Sequence, residues 1–317
     1  MKLKKIICAA LSAALIASSA LAFTSCGEKP KKSSSTSSSA TAEKSVSPAV
    51  DDLKKSGIDL SKCDLNPQIT YADNEKYGFQ LEKPSKGENI AVIHTTKGDI
   101  TLRLFPQYAP KTVENFINLA KEGKYNDVIF HRVIDNFMIQ TGDYENQNGT
   151  GGTSSFGSAF EDEFCDKLNN IRGSVAMANS GQDTNGSQFF INQNPADNFK
   201  KNGGFATLKK NWASVKSQIK QYGTDSTQIP QILKYFGTSC YDADVVPEQI
   251  QALYNENGGN PSLDGAYNAA DAGHTVFGQV IDGMKVVDKI AAAKTDDSDK
   301  PKKDIKIKSI EIKEYKG

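Results

Sequence analysis

The chain has 317 residues, with 38 Lys+Arg balanced by 38 Asp+Glu, three His, five Cys and 38% hydrophobic residues. That length allows one elaborated domain or two ordinary ones, and a formal net charge of zero argues against a nucleic-acid binder, which normally carries a basic excess. No Gly-x-x-x-x-Gly-Lys-Ser/Thr loop, Cys-x-x-Cys pair or His-Glu-x-x-His motif occurs, so the usual signatures of nucleotide and zinc chemistry are missing.

Lys2, Lys4 and Lys5 open the chain and an Ala/Leu/Ile-rich run follows from 6 to 23, the shape of a secretory signal. The run ends in Leu21-Ala22-Phe23-Thr24-Ser25-Cys26, which resembles the lipobox of bacterial lipoproteins, with Phe23 where Leu is usual. The resemblance implies a signal peptide over 1–25, lipidation of Cys26 and an extracytoplasmic protein anchored to the outer face of the bacterial cytoplasmic membrane, since several acyl chains hold stably to a bilayer. The plainer alternative is a cleaved signal in which Cys26 is incidental. Lys29-Pro30-Lys31-Lys32 and a Ser/Thr tract from 33 to 41 cannot bury enough apolar surface to offset their ordering entropy, so 26–49 reads as a flexible tether. Cys63, Cys165 and Cys240 cannot pair completely; one disulfide is allowed and none is required.

Residues 50–88 are polar with short apolar fragments and read as an N-terminal extension to a main domain over 89–317. Ile90-Ala91-Val92-Ile93-His94 opens a strand, Lys97-Gly98-Asp99 turns it, and Ile100-Thr101-Leu102-Arg103-Leu104 returns with a period of two. Pro110 suits a first helical position, Val113, Phe116, Ile117 and Ala120 form an amphipathic stripe, and Gly123 is placed to end the helix. Strand signals follow at 128–133, 137–141, 171–178, 188–192 and 274–280; Met284, Val287 and Ala291 mark a second helix. A last strand spans 305–312, where Ser309 interrupts the alternation.

Many strands with two separated helices predict a mainly β fold, a closed β-barrel with helical plugs, and closure would also remove exposed edges. Between Pro195 and Pro261 the pattern turns helical, with Trp212, Val215, Ile219 and Tyr222 on one face, Ile232, Leu233 and Phe236 on a short helix, and Val246, Ile250, Leu253 and Tyr254 on another. Residues 196–260 thus read as a helical insertion that rejoins the chain just before Leu263.

Three blocks carry candidate chemistry. The first runs from Phe130-His131-Arg132 through Phe137-Met138-Ile139-Gln140 to Gly142-Asp143. The second is Met177-Ala178-Asn179, continuing through Asn185-Gly186-Ser187-Gln188-Phe189-Phe190-Ile191, and the third is Leu263-Asp264-Gly265 with His274-Thr275-Val276-Phe277-Gly278. Alternation puts Met138 and Gln140 on one strand face. An Arg beside a Phe/Met surface fits a ligand that is half apolar and half carbonyl, although a core strand with a snorkelling Arg is an equally good reading of that block alone.

Together the blocks resemble the cyclophilin family of peptidyl-prolyl isomerases, from about 90 to 312 with the helical insertion interrupting. The resemblance implies an eight-stranded antiparallel barrel capped by two helices, no cofactor, and proline-containing polypeptides as partners. By the same likeness Arg132 is the catalytic arginine and Gln140 holds its guanidinium. Phe137, Met138, Phe190 and Leu263 build a pocket for the proline ring, Ala178 and Asn179 line the peptide groove, and Gln188 and His274 complete the wall. The family often carries a Trp where Ser262 stands here, so cyclosporin binding is expected to be weak, and the spacing between Gly265 and His274 is longer than usual. The alternative from another class is a peptide-binding chaperone or surface-binding module with little turnover.

Other features have plainer readings. His94, His131 and His274 match no metal-ligand spacing, so no metal is expected. Asn148-Gly149-Thr150-Gly151-Gly152 lacks the Lys of a phosphate loop and reads as a turn.

Overall fold

The computed structural model describes residues 47–317 except 64, 66, 68 and 223–226. The signal, Cys26, nearly all of the tether and the side chain of Tyr222 lie outside the described residues.

The centre of the fold is one eight-stranded antiparallel sheet. Its strands are β2 (Asn89–Thr95), β3 (Gly98–Leu104), β4 (Arg132–Ile134), β5 (Met138–Thr141), β7 (Ser174–Met177), β8 (Phe189–Asn192), β9 (Val276–Asp282) and β10 (Ile307–Glu314). They lie in the order β10-β2-β3-β9-β7-β8-β5-β4. A separate parallel pair joins β1 (Ile69–Thr70) to β6 (Phe164–Cys165).

The predicted closed barrel is corrected here: the sheet curls into a half-barrel whose edge strands β10 and β4 do not pair. Phe130 donates to the Ile305 carbonyl and Ile307 to that of Val128, joining the segments that lead into the two edges, but no ladder closes the seam. β4 is only three residues long, and on the edge facing away from β5 the Val133 N–H goes to the Asp299 carbonyl rather than to β10.

The hairpin between β2 and β3 turns one residue earlier than its sequence suggested, at Thr96-Lys97, with Thr95 opposite Gly98. Thr95 Oγ1 closes it, donating to the Gly98 carbonyl at 2.7 Å and accepting the Lys97 N–H at 2.9 Å. The irregular step in the last strand is a bulge. Ile307 pairs with Thr95 and Ser309 with His94, leaving Lys308 as the extra residue. It lets Ile305, Ile307 and Ile310 all reach the core despite the broken alternation.

The concave face is filled by two helices, α2 (Pro110–Lys121) and α7 (Met284–Ala291). Val113, Phe116, Leu119 and Ala120 from the first, and Val287, Ile290 and Ala291 from the second, pack on Ile93, Ile100, Ile139, Val175, Ile191 and Phe277. Gly123 ends α2 at φ 71°, which lets Lys124 bond back to the Leu119 carbonyl.

Helices α3 (Ala196–Lys201), α4 (Gly204–Tyr222), α5 (Ile229–Phe236) and α6 (Glu248–Asn257) occupy the helical stretch; α3 carried no sequence signal of its own. Trp212, Val215, Ile219, Ile229 and Leu233 form a second core with Cys240 and Ala269, and the rest of its wall comes from the N-terminal segment: Ala49, Val50 and Leu53 of α1 (Pro48–Lys55), with Ile58 and Leu60. Further along the same segment, Phe79 is buried against Phe105 and Tyr108, and Arg103 donates to the Phe79 and Glu82 carbonyls and pairs with Glu88. Among the described residues no helix is long and apolar enough to cross a membrane, and Cys63, Cys165 and Cys240 are free thiols.

Candidate functional site

Residues opposite one another in a sheet share a face. Arg132 on β4 lies opposite Gln140 on β5, Gln140 opposite Phe190 on β8, Phe190 opposite Ala176 on β7, and Ala176 opposite Val276 on β9. One row thus carries a guanidinium, an amide and a phenyl ring across the convex face. At about 4.8 Å per strand, the Arg132 backbone stands roughly 10 Å from that of Phe190. The flanking residues Val133, Ile139, Val175 and Phe189 point the other way, into the concave core.

Met138, Phe190 and Leu263 are buried in one apolar cluster on this face, together with Ala176, Val276, Phe105 and Phe79, while Phe137 and Ala178 are half-buried at its margin. The His274 ring stands edge-on to Phe190 at 5.2 Å and its Nδ1 lies 2.8 Å from the Met177 carbonyl. Burial lowers the His274 pKa, so the ring is neutral near pH 7 and serves as wall. Ala178 donates its N–H to the Gln188 carbonyl at 3.0 Å. The Asn179 side chain is taken up by the Gly273 carbonyl and Asp162, at 2.8 and 3.3 Å, which leaves its backbone as the group it can offer a ligand.

The structure thus brings the expected apolar residues together, but the polar ones connect differently from expectation. Gln140 Nε2 donates to Gln188 Oε1 at 3.0 Å, and among the described residues its Oε1, the atom able to accept from a guanidinium, makes no hydrogen bond to Arg132, whose contact is elsewhere. Gln188 Nε2 in turn donates to the carbonyls of Gly149 and Gly151. The Arg132 guanidinium is half-exposed, and its polar contact among the described residues is Asp299, Nε to Oδ2 at 3.7 Å. Asp299 was missed in the sequence because one acidic residue in a Lys/Asp-rich stretch has no periodicity to mark it.

The glycine-rich turn beside Gln188 is bound from within. The Asp143 carboxylate accepts N–H groups from Asn146, Asn148, Gly149 and Gly151, and Glu145 accepts those of Gly152 and Thr153. Burial pushes Asp143 upward, yet these donors outweigh it and hold the carboxyl below its ordinary pKa. Donors already given to carboxylates cannot cradle a phosphate, in keeping with the plainer reading of this loop. The turn borders an open cavity of about 360 Å³ lined by Glu145, Thr150, Gly152, Ser158, Ala159 and Thr184, among others. Under the same turn, against Gly149, lies His131, buried with neither ring nitrogen bonded among the described residues; desolvation pushes its pKa down to about 4.

Both ends of the helical stretch meet at the pocket residue Phe137. Its carbonyl accepts the N–H of Gln193 at 2.8 Å, that of Asn194 at 3.3 Å and the side-chain amide of Asn260 at 3.0 Å. Leu263 is held from behind by buried Asp264, which accepts from the Asn170 backbone at 2.7 Å, the Asn170 and Asn169 amides, and the Tyr254 hydroxyl of α6 at 2.6 Å. Desolvation raises the Asp264 pKa to about 6 even so. Asn260 and Asp264 went unassigned in the sequence because their role depends on partners far along the chain.

The model of the family "Cyclophilin type peptidyl-prolyl cis-trans isomerase/CLD" matches residues 90–232 and 255–312. A putative peptidyl-prolyl cis-trans isomerase of Staphylococcus aureus is 42% identical over 236 residues, covering 74% of this chain and 98% of the relative. A putative bifunctional phosphatase/peptidyl-prolyl cis-trans isomerase of Streptococcus pyogenes is 43% identical over 247 residues, 77% of this chain; the chain spans only 43% of that relative's length. The crystal structure of a Cryptosporidium parvum cyclophilin-type isomerase is similar at 26% identity and a TM-score of 0.47, over 72% of this chain and 98% of that one. The chain belongs to the cyclophilin-type peptidyl-prolyl cis-trans isomerase family.

Proposed function

We propose that this cyclophilin-family chain accelerates cis–trans rotation of X–Pro bonds in secreted or surface polypeptides, with the proline ring against Phe137, Met138, Phe190 and Leu263 and with Arg132 as the donor. The observation that carries this reading is the cross-strand row that sets Arg132 two strands from Phe190 on the convex face. Rotation about an amide crosses a barrier of about 18–20 kcal/mol because it breaks C–N resonance, and uncatalysed X–Pro exchange takes tens to hundreds of seconds. An apolar surface that strips water from the amide favours the twisted, less polar state. As the prolyl nitrogen pyramidalises it recovers a lone pair, and a guanidinium donor then bonds the twisted state more strongly than either planar one. Arginine stays charged through the reaction, so the step moves no proton.

The test is NMR exchange on a proline tetrapeptide with wild type beside Arg132→Ala. Turnover should fall about a hundredfold, the size of losing one transition-state donor, while peptide affinity changes little. Equal losses in both would make Arg132 a binding group and favour the peptide-binding alternative. Cyclosporin should bind weakly, because Ser262 supplies no indole; nanomolar inhibition would count against that.

The proposal also sets the domain outside the cytoplasmic membrane on a lipid at Cys26, supported by the pattern over 2–26. Cys26→Ser should move the protein from the membrane fraction to the soluble one; retention in the pellet would argue against the anchor.

A further inference from the structure

The segment between α7 and β10 approaches Arg132 by two routes. Asp299 Oδ2 lies 3.7 Å from Arg132 Nε, and the Asp299 carbonyl accepts the N–H of Val133, the next residue on β4, at 2.8 Å. The segment that presents Asp299 is a constructed turn. Asp296 Oδ1 accepts the N–H groups of Ser298 and Lys300, both at 3.0 Å, and Asp296 N–H bonds the Lys300 carbonyl at 2.9 Å. A bridge between Thr295 and Pro301 closes its base. Asp299 itself adopts φ 61°, a left-handed conformation uncommon outside glycine and tolerated best by Asn and Asp. Gln140, directly across from Arg132, turns its Nε2 to Gln188 and makes no hydrogen bond to the guanidinium among the described residues.

We propose that Asp299 is the positioning residue of the site: at ion-pair rather than hydrogen-bond distance from Nε, its carboxylate draws the Arg132 guanidinium to the Nε side and leaves the terminal N–H groups for the substrate. A guanidinium is a rigid planar fork, so a charge held beside its Nε edge biases how the rest of the fork faces. Without an anchor, a half-exposed arginine must be ordered anew in each transition state, and that cost falls on turnover rather than on ground-state binding. The inference rests on the reading of Arg132 as the donor in the isomerase reaction.

The experiment measures kcat and peptide Kd on an Ala-Pro-containing tetrapeptide for wild type, Asp299→Asn, Arg132→Ala and the double variant. Asn keeps the size and tolerates the φ, so the charge alone is removed. Asp299→Asn should lower kcat about fivefold, the scale of a partly exposed ion pair, with Kd unchanged within about twofold, and in the Arg132→Ala background it should have no further effect. Raising NaCl to about 1 M, where charges are screened beyond about 3 Å, should slow the wild type toward the Asp299→Asn rate and leave that variant unmoved. A wild-type kcat in Asp299→Asn, an undiminished effect in the absence of Arg132, or an equal salt response in both proteins would overturn the role of Asp299 while leaving the proposed function intact. A wild-type rate in Arg132→Ala would instead remove Arg132 as the donor, and this inference with it, while the isomerase activity stands.

Discussion

Phe189 and Phe190 are adjacent in sequence and both are at most 4% exposed, yet they belong to different parts of the molecule. Phe189 packs on Phe116, Tyr125 and Phe277 inside the half-barrel. Phe190 sits on the convex face with Met138, Leu263 and the edge-on ring of His274. Burial alone therefore does not separate stability from function in this protein; the side of the sheet does.

The largest effect expected from this contrast is on the concave side. Phe189→Ala should cost about 3–5 kcal/mol of stability in denaturant unfolding, as for other buried Phe truncations, while molecules that remain folded keep their peptide affinity. A loss of affinity without loss of stability would erase the distinction between the faces.

The next concerns His131, whose pKa is pushed down to about 4 by desolvation from an ordinary 6.5. The unfolded chain therefore binds this proton first, so stability present above about pH 6.5 is lost as pH falls toward 4. Its size is at most about 3 kcal/mol, from 1.36 kcal/mol per unit. Asp264 opposes it: raised to about 6, it stabilises the fold below its ordinary 3.8 and loses that contribution as pH rises through 6. Melting wild type beside His131→Asn from pH 4 to 6.5 isolates the histidine, and the variant should lack its share of the acid loss. Parallel curves would mean that His131 is solvated.

The smallest is on the convex side. Phe190→Ala should weaken tetrapeptide binding about tenfold to a hundredfold, the worth of an aromatic contact surface. It should cost turnover at low substrate more than the Phe189 change does, per folded molecule.

Much of this contrast was legible in the sequence. A period of two assigns Met138 and Gln140 to one face and Ile139 to the other, and the structure keeps that parity. What was not legible depends on geometry that periodicity does not encode. Open or closed is decided by where the three residues of β4 find partners, and the Ser309 step reads as a break in the alternation until the bulge at Lys308 is seen. Phe79 lies in the polar stretch without a periodicity to mark it, because its partners, Phe105 and Tyr108, are contributed after a full hairpin. Gln140 was expected to hold the Arg132 guanidinium, and the register does place them opposite each other; that its Nε2 turns to Gln188 depends on a side-chain orientation that periodicity does not encode.

The joint core of α1 and the helical stretch has a consequence for biosynthesis. Ser47, at the threshold of α1, donates its hydroxyl to the carbonyl of Ala266, 219 positions downstream. At about 5–20 residues per second, a nascent chain would wait roughly ten to forty seconds before that acceptor is even made. Ala49, Val50 and Leu53 emerge early and are sheltered late, so the first of the described helices to be synthesised is among the last to be seated, and its apolar side needs protection from other chains in the interval.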